Sequence, residues 1–430
     1  MQLIIHRGTH NIGGTCVEIA TAQSRIIIDL GMPLEENGER FDIRKYKHLS
    51  EPDLVKEGKL PDVKGLYKWD TESKRIDAIL ISHSHQDHYG YLSYVNPAIP
   101  IYASEGCKEL MAVAYYFGQS RFDPANVIVK KPWDTFKDIA GMEVTPYLVD
   151  HSAADAFAYL IEADKKRIFY AGDFRGHGKK KILFENMLKH PPKNIDLLML
   201  EGTTIEAARV EEQASEQDVE EKLVSLFGEN NKLVIFACSH QNIDRLTVLY
   251  NACLRTDKTL AMIPYTAYIL HKLKILSDKI PQHSMKNIRV FFEGTPNTKR
   301  VLADEELCEK LRRVYIGYDE IVAHKERMVV LDSTFVRKQF GRRGYLKDAM
   351  LIYSLWDGYL EDVKPFWDDH GVHIKKLHSS GHASVDELKQ FVSALKPARI
   401  IPIHTKHPEK FHEHFGDIVM KVSDGERVNL

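Results

Sequence analysis

Short apolar runs rich in β-branched residues recur along the chain, and each is bounded by polar or turn-forming residues. Such runs predict buried strands. The runs are RIIIDLG, DAILISHSH, RIFYAGDF, IDLLMLEGT, KLVIFACS, TLAMIPYTA, IRVFFEGT, RMVVLDST, DAMLIYSLW and ARIIPIHT. Between many of them, apolar residues recur at spacings of three and four, which predicts helices in GCKELMAVAYYFG, EQDVEEKLVSLFGE, NIDRLTVLYNACL and SVDELKQFVSALK. Alternating strands and helices indicate an α/β protein with layered sheets and helices.

Two local features refine this pattern. Ser384 precedes the last of these helices and Glu387 follows three residues later, which predicts a capping box. Residues 33–75 are charged and poor in β-branched runs. We interpret them as a long insertion loop with a short helix, of the kind that forms a lid or a binding loop.

Polar residues occur where the predicted strands end. They are Asp29, His83, Asp173, Glu201 and His404, together with His151 after the strand-like VTPYLVD. In layered α/β proteins the strand ends hold polar groups that would be costly inside a strand. The sequence therefore predicts that these side chains converge on one site.

The hexapeptide HSHQDH, residues 83–88, carries the most distinctive chemistry. In an extended segment, His83, His85 and Asp87 share one face and His88 lies to one side. Imidazole and carboxylate groups bind zinc, manganese or iron, and two offset groups suit two metals. Alternatives are a polar loop with incidental histidines and a mononuclear structural site.

Composition limits the function classes. The chain has 430 residues, 43% of them hydrophobic and 28% charged, which is typical of a globular protein with two or three domains or one large elaborated domain. Its net charge of -2 disfavours nonspecific wrapping of nucleic acid. The five cysteines are dispersed and lack a C-x-x-C pair, which argues against disulfides and a cysteine zinc site. No apolar run could span a bilayer and no signal peptide is evident, so we expect a cytoplasmic protein without membrane contact.

The motif HSHQDH resembles the H-x-H-x-D-H motif of the metallo-β-lactamase fold. Asp29, His151 and Asp173 stand in that family's order around it. The resemblance extends over nearly the whole chain. It implies an αββα sandwich, in which two sheets pack between layers of helices.

The later segments resemble the β-CASP branch of this family, whose members process nucleic acid. The resemblance rests on Glu201 after a strand, His382 in SSGHAS and His404 in IPIHT. FACSHQNIDRL and the tail from SGHAS to KPARIIPIHT are similar to the ribonuclease J family. The implied domains are a discontinuous metallo-β-lactamase domain (1–203 plus 370–430), with the loop 33–75 inside it, and an inserted α/β β-CASP domain (204–369).

The resemblance also implies roles for the site residues and two divalent metal ions, zinc first and manganese as the alternative. One ion would be held by His83, His85 and His151, the other by Asp87, His88 and His404, with Asp173 bridging and Asp29 orienting the motif. A hydroxide between the metals would attack the phosphodiester. His382 would protonate the leaving 3′-oxygen, and Glu201 would orient His382. Asp87 would be a catalytic residue as well as a metal ligand.

The implied substrate is RNA, degraded from the 5′ end, with a DNA exonuclease or repair-type nuclease as the alternative. A lactonase- or thioesterase-like hydrolase is disfavoured by the large insertion, and a non-enzymatic relative by the complete ligand set. A 5′-phosphate pocket would involve Ser354, Ser379 and Ser380, although YSLWDGYL replaces the family's small residues with the bulky Trp356. Base-stacking candidates are Tyr345, Trp356, Tyr359 and Trp367. We expect no C-terminal dimerisation domain, which leaves the oligomeric state open, a dimer included.

Overall fold

The computed structural model describes residues 1–71, 76–206 and 214–430, and these form two compact units. The first comprises Met1–Gly176, Lys180–Glu211 and Gly381–Leu430, and the second His177–Lys179 and Glu212–Ser380. The last residues of the predicted insertion loop, 72–75, lie outside the described residues. So do residues 207–213, near the predicted start of the inserted domain. The domain bounds given above therefore stay a prediction.

The first unit contains two sheets. The seven-stranded sheet has the order β20-β1-β2-β3-β6-β7-β8, and the five-stranded sheet has the order β19-β12-β11-β10-β9. The strands of the larger sheet are β1 (Gln2–Arg7), β2 (Cys16–Ala20), β3 (Arg25–Ile28), β6 (Ala78–Leu80), β7 (Ile101–Ala103), β8 (Ile128–Val129) and β20 (Arg427–Asn429). Those of the smaller sheet are β9 (Glu143–Val149), β10 (Ala156–Ala163), β11 (Lys166–Tyr170), β12 (Leu197–Glu201) and β19 (Arg399–Ile403). A separate hairpin, β4 (Glu35–Glu36) and β5 (Glu39–Arg40), lies in the predicted insertion loop.

Helices cover the outer face of each sheet. They are α1 (Glu51–Lys56), α2 (Gln86–Tyr89), α3 (Glu105–Tyr116), α4 (Lys181–Lys189), α13 (Val385–Leu395) and α14 (Lys410–Phe415), with short 3-10 turns at Ile43–Tyr46, Leu92–Tyr94 and Gly416–Ile418. Side chains alternate along each strand. Ile26 and Ile28 of β3 therefore pack between the sheets, while Ile27 packs with Met111 of α3. On β12, Leu198 faces the helical layer in the same way. This is the predicted αββα sandwich.

The second unit is built on one six-stranded sheet, in which all strands are parallel, with the order β15-β14-β16-β13-β17-β18. Its strands are β13 (Val234–Ala237), β14 (Thr259–Met262), β15 (Ile288–Val290), β16 (Met328–Leu331), β17 (Met350–Tyr353) and β18 (His373–Lys376). Its helices are α5 (Glu216–Glu229), α6 (Ile243–Arg255), α7 (Pro264–Leu273), α8 (Pro296–Leu302), α9 (Glu305–Arg312), α10 (Tyr318–Ala323), α11 (Thr334–Arg342) and α12 (Lys364–Asp369), with 3-10 turns at Lys274–Leu276, Lys325–Arg327 and Asp357–Tyr359.

The predicted elements are present. Every apolar run named above contains a strand, and every predicted helical segment contains a helix. Ser384 caps α13 through a capping box with Glu387, as its spacing predicts. Within the described residues, no helix combines the length and apolar character that crossing a bilayer requires.

A buried ion pair organises the second unit. Arg245 of α6 is fully buried, and its guanidinium donates two hydrogen bonds of 2.9 Å to the carboxylate of Glu216. It also donates to the hydroxyl of Ser354 and, at 3.2 Å, to the carbonyl of Ser379. Paired charges of this kind are costly to separate once buried, because the remaining charge has lost its water.

Replacing Arg245 with leucine should lower the free energy of unfolding of the second unit by about 3–5 kcal/mol. The reason is that Glu216 loses its guanidinium partner while it stays buried. Arg313→Leu is the matched control in the same unit, because Arg313 pairs with Glu309 at an exposed position and should cost less than about 1 kcal/mol. Urea unfolding monitored by circular dichroism measures both, and equal effects would contradict the prediction.

Candidate metal centre

The structure brings the predicted strand-end residues to one site in the first unit. Asp29 follows β3 directly, Glu201 is the last residue of β12, and His404 follows β19 directly. His151 and Asp173 lie just beyond β9 and β11. All five side chains are buried, as are His83, Asp87 and His88 of the motif.

One group consists of three imidazoles. Nδ1 of His85 lies 3.1 Å from Nε2 of His83 and 3.2 Å from Nε2 of His151. On its far side, Nδ1 of His151 lies 2.6 Å from the carbonyl oxygen of Gly381, which can only accept a hydrogen bond, so Nδ1–H is the donor. This contact leaves the lone pair of Nε2 directed at the other two rings, and the three rings offer ligand atoms close enough to share one cation.

A second group consists of Asp87, His88 and His404. Oδ2 of Asp87 lies 3.2 Å from Nε2 of His404 and 3.7 Å from Nε2 of His88. Among the residues that the structure describes, Nε2 of His88 is buried and makes no well-aligned hydrogen bond, although Oδ2 of Asp173 lies 3.2 Å away. A buried ring nitrogen without a well-aligned partner is costly unless something coordinates it, so the site fits a metal ion.

Asp173 lies between the two groups. Its Oδ2 is 3.2 Å from Nε2 of His88 and 3.8 Å from Nε2 of His83, and its Oδ1 is 3.7 Å from Nδ1 of His404. One carboxylate therefore reaches members of both groups, the arrangement that a shared ligand needs.

Asp29 contacts the motif from behind. Its carboxylate accepts hydrogen bonds from the backbone and hydroxyl of Ser82, at 2.8 and 2.7 Å, and from the hydroxyl of Tyr170 at 2.6 Å. Its Oδ2 also lies 2.8 Å from Nδ1 of His88. The proton of His88 is thereby held on Nδ1, and Nε2 is left for the centre.

His382 and Glu201 lie beside Asp173. Nδ1 of His382 is 3.4 Å from Oε2 of Glu201 and 3.8 Å from Oδ2 of Asp173. Glu201 is held in turn by the backbone N–H groups of Thr203 and Ala383, at 3.1 and 3.2 Å. His382 is about one-fifth exposed, so its outer edge reaches solvent.

The protonation states suit these positions. Burial lowers the pKa of His85 to about 4, and it also lowers the pKa of His83 and His151, so all three rings are neutral with free lone pairs. Burial opposes ionisation of Asp87 and protonation of His88, but without a cation the two groups stabilise each other's charge. The pKa of Asp87 is lowered to about 2 and the pKa of His88 is raised by Asp173, Asp87 and Asp29, so a bound cation would displace the proton on Nε2 of His88. For His382, burial favours the neutral ring, yet Glu201 and Asp173 raise its pKa to about 9.

The backbone at the centre is tightly constrained. Asp29 and His404 have positive φ, +58° and +50°, a conformation that non-glycine residues seldom adopt and that is typical of functional sites. Gly31 packs directly on the motif, and a Cβ built on it would lie 1.5 Å from the carbonyl oxygen of Asp87.

Replacing Gly31 with alanine should therefore destabilise the first unit by about 3 kcal/mol or more and weaken metal binding. The added methyl group can fit only if the backbone between Asp87 and His88 moves. Thermal unfolding and metal content measure the two effects. Gly228→Ala, where a Cβ meets nothing within 4 Å, is the control and should leave both unchanged or raise stability slightly. Parent-like unfolding of the Gly31 variant would contradict the prediction.

The proposed substrate-binding residues lie in the second unit. Ser354 and Ser379 are buried, and the hydroxyl of Ser354 lies between Arg245 and the carbonyl of Leu377. The carbonyl of Ser380 lies 3.1 Å from Nε2 of His177. Their role at a 5′-phosphate stays a prediction. The stacking candidate Trp367 is fully buried, so that interpretation was wrong, because its indole belongs to the core of the second unit.

Other groups at the centre were not predicted from the sequence. The hydroxyl of Thr203 lies 2.8 Å from Nδ1 of His404, Tyr170 donates to Asp29, and Gly381 contributes only its backbone carbonyl. Thr203 and Tyr170 do occur beside predicted strand ends, and that position is the signal that could have found them. A backbone carbonyl gives no signal in a sequence.

Comparison with known proteins is consistent with this geometry. Residues 61–227 match the β-lactamase superfamily domain, and residues 372–415 match the Zn-dependent metallo-hydrolase RNA specificity domain. The chain is 21% identical to an RNase J-like protein of Methanocaldococcus jannaschii, over 94% of this chain and 92% of that protein. It is also 21% identical to ribonuclease J 2 of Streptococcus pyogenes, over 95% of this chain and 70% of the relative. A solved structure of a protein of unknown function from Enterococcus faecalis shares the fold, with a TM-score of 0.82, 23% identity and coverage of 100% and 99%.

The fold and the matched domains together show that the chain has the metallo-β-lactamase sandwich. Its similarity to ribonuclease J extends over most of the chain, so it resembles the β-CASP proteins of the ribonuclease J type.

Proposed function

We propose that this protein is a metal-dependent ribonuclease that hydrolyses phosphodiester bonds. The observation that carries the proposal is the position of Asp173, within 4 Å of both ligand groups and of His382. The similarity to ribonuclease J and the match to an RNA specificity domain support RNA as the substrate. The proposed mode is degradation from the 5′ end, which the experiment below tests.

Two divalent cations would occupy the centre, zinc first and manganese as the alternative. His83, His85 and His151 would hold one, and Asp87, His88 and His404 the other, with Asp173 shared. When bound, such a pair activates water at neutral pH and neutralises charge on the phosphoryl group. The donor set of imidazoles and carboxylates fits either metal.

The remaining residues prepare the centre before substrate arrives. Asp29 fixes the tautomer of His88, and the carbonyl of Gly381 fixes that of His151. Thr203 holds the ring of His404 at Nδ1. Because these contacts exist in the folded protein, the ligand atoms need little rearrangement to bind a cation.

His382 would supply the proton that the leaving 3′-oxygen requires. Its ring is protonated at neutral pH because Glu201 and Asp173 stabilise the imidazolium. Glu201, held by two backbone N–H groups, orients the ring. A positioned acid of this kind accelerates cleavage by about a hundred- to ten-thousandfold.

The test uses single-stranded RNA and DNA of one sequence, labelled at either end and carrying a 5′-hydroxyl, 5′-monophosphate or 5′-triphosphate. The expected result is release of mononucleotides from the 5′ end of RNA, with loss of activity on metal chelation. Faster cleavage of DNA would show that DNA, not RNA, is the substrate. Release of internal fragments would show that cleavage is endonucleolytic, not exonucleolytic. Hydrolysis of a lactone or thioester with neither polymer cleaved would overturn the proposal.

A further inference from the structure

Trp356 is an exposed tryptophan just beyond the carboxyl end of strand β17 in the second unit's sheet. Its side chain follows β17, which ends at Tyr353, and 57% of the residue is accessible to solvent. The sheet is entirely parallel, and the carboxyl ends of its strands are the edge where ligands bind in α/β proteins. An indole exposed to this extent gains little burial energy, and its ring face is accessible to a ligand.

The ring is held in place rather than loose in solvent. A Cβ built on Gly358 would lie 2.1, 2.3 and 2.6 Å from three carbons of the indole, so the ring rests on the backbone of Gly358. Tyr359 contacts it edge-on, with 5.3 Å between ring centroids. The hydroxyl of Tyr353 donates a 3.1 Å hydrogen bond to the Trp356 carbonyl. One side of the indole is therefore covered by the chain while more than half of the residue remains open.

Cationic groups lie on the neighbouring strand. Lys375 and Lys376 of β18 are both exposed, and Tyr353 of β17 pairs with Lys376 in the sheet. The ammonium of Lys376 lies 2.9 Å from the carboxylate of Asp357, directly after Trp356. An open aromatic face next to lysines matches the two parts of a nucleotide, a flat base and a charged phosphate.

We propose that Trp356, supported by Gly358 and Tyr359, is a stacking platform for a nucleobase of single-stranded RNA. The proposal rests on the proposed nuclease function and adds a substrate contact to it. A docking surface for another protein is the weaker interpretation, because exposed charges at Asp357, Glu361 and Lys376 interrupt the apolar surface.

Binding is measured with a phosphorothioate-linked RNA oligomer that the protein cleaves slowly, by titration and by tryptophan fluorescence. Trp356→Ala and Gly358→Ala should each raise Kd about tenfold, the second because its methyl group displaces the ring. Trp356→Phe should remain near the parent Kd. Trp133→Ala is the matched control, since Trp133 of the first unit is 56% exposed. It should change neither Kd nor the quenching by RNA.

A second arm uses an oligomer of the same length with abasic nucleotides. Trp356→Ala should not weaken its binding, because no base is present to stack. An unchanged Kd for RNA in Trp356→Ala, or equal losses for RNA and the abasic oligomer, would overturn the platform. Cleavage assays separate the two proposals. If Trp356→Ala cleaves RNA with a parent-like KM, the stacking platform is contradicted and the nuclease function is not. If Trp356→Ala weakens RNA binding but neither the parent nor any variant cleaves RNA, the nuclease function is contradicted and the platform is not.

Discussion

Replacing Asp173 with alanine is expected to reduce RNA hydrolysis by about a thousandfold or more, because metal-assisted charge stabilisation contributes several kcal/mol to such reactions. The carboxylate lies 3.2 Å from His88 and 3.8 Å from His83, one member of each ligand group, so its loss would remove the proposed shared ligand. Metal content should fall at the same time. Single-turnover rates and elemental analysis of protein purified without chelator measure the two effects.

Two controls separate loss of the centre from loss of the fold. Asp173→Asn keeps the volume but removes the charge, and it should lose activity nearly as completely. Asp196→Ala changes another aspartate of the first unit, which pairs with Lys166 away from the centre, and should leave rate and metal content unchanged. Circular dichroism should show that all three variants fold. An Asp173→Ala protein that keeps its full metal content and its rate would contradict the two-metal proposal.

The residues of the centre that lie in one short motif or at the ends of neighbouring strands could be predicted from the sequence. HSHQDH combines several ligands within one short segment. Asp173, Glu201 and His404 follow neighbouring parallel strands of one sheet, and the carboxyl ends of parallel strands lie at a common edge. Local residue type and strand period were therefore sufficient to predict convergence, although the strands are far apart in the chain.

What the sequence could not provide depends on tertiary environment. Trp356 and Trp367 are the same residue type in one short stretch, yet one is largely exposed and the other fully buried. Strand β10, AFAYLIEA, was not predicted, because it has a single β-branched residue and so lacks the β-branched run by which the other buried strands were recognised. Ser354 could be recognised as a small polar residue. Its contact with Arg245 could not be predicted, because Arg245 lies on a helix far away along the chain.

Replacing His382 with alanine is expected to slow cleavage by about a hundred- to ten-thousandfold while metal content stays at the parent level. The ring lies beside the centre, its Nδ1 3.4 Å from Glu201, and in the proposed mechanism it holds the proton for the leaving oxygen. His412→Ala, at an exposed position on α14, is the control and should be neutral. Loss of metal together with activity would instead indicate that His382 is a ligand.

The pH dependence distinguishes an acid from a merely structural residue. The acid must be protonated to act, and Glu201 and Asp173 raise the pKa of His382 to about 9 against the effect of burial. Activity should therefore persist through neutral pH and fall as pH rises towards that value. Bound cations should shift this alkaline limb of the pH profile to lower pH. Glu201→Gln removes the largest stabilising charge, so the alkaline limb should shift to lower pH. In His382→Ala the limb should disappear, leaving a slow rate that is flat over the same range. A limb that stays in place in both variants would assign the proton transfer to another group and leave His382 only a role in substrate contact.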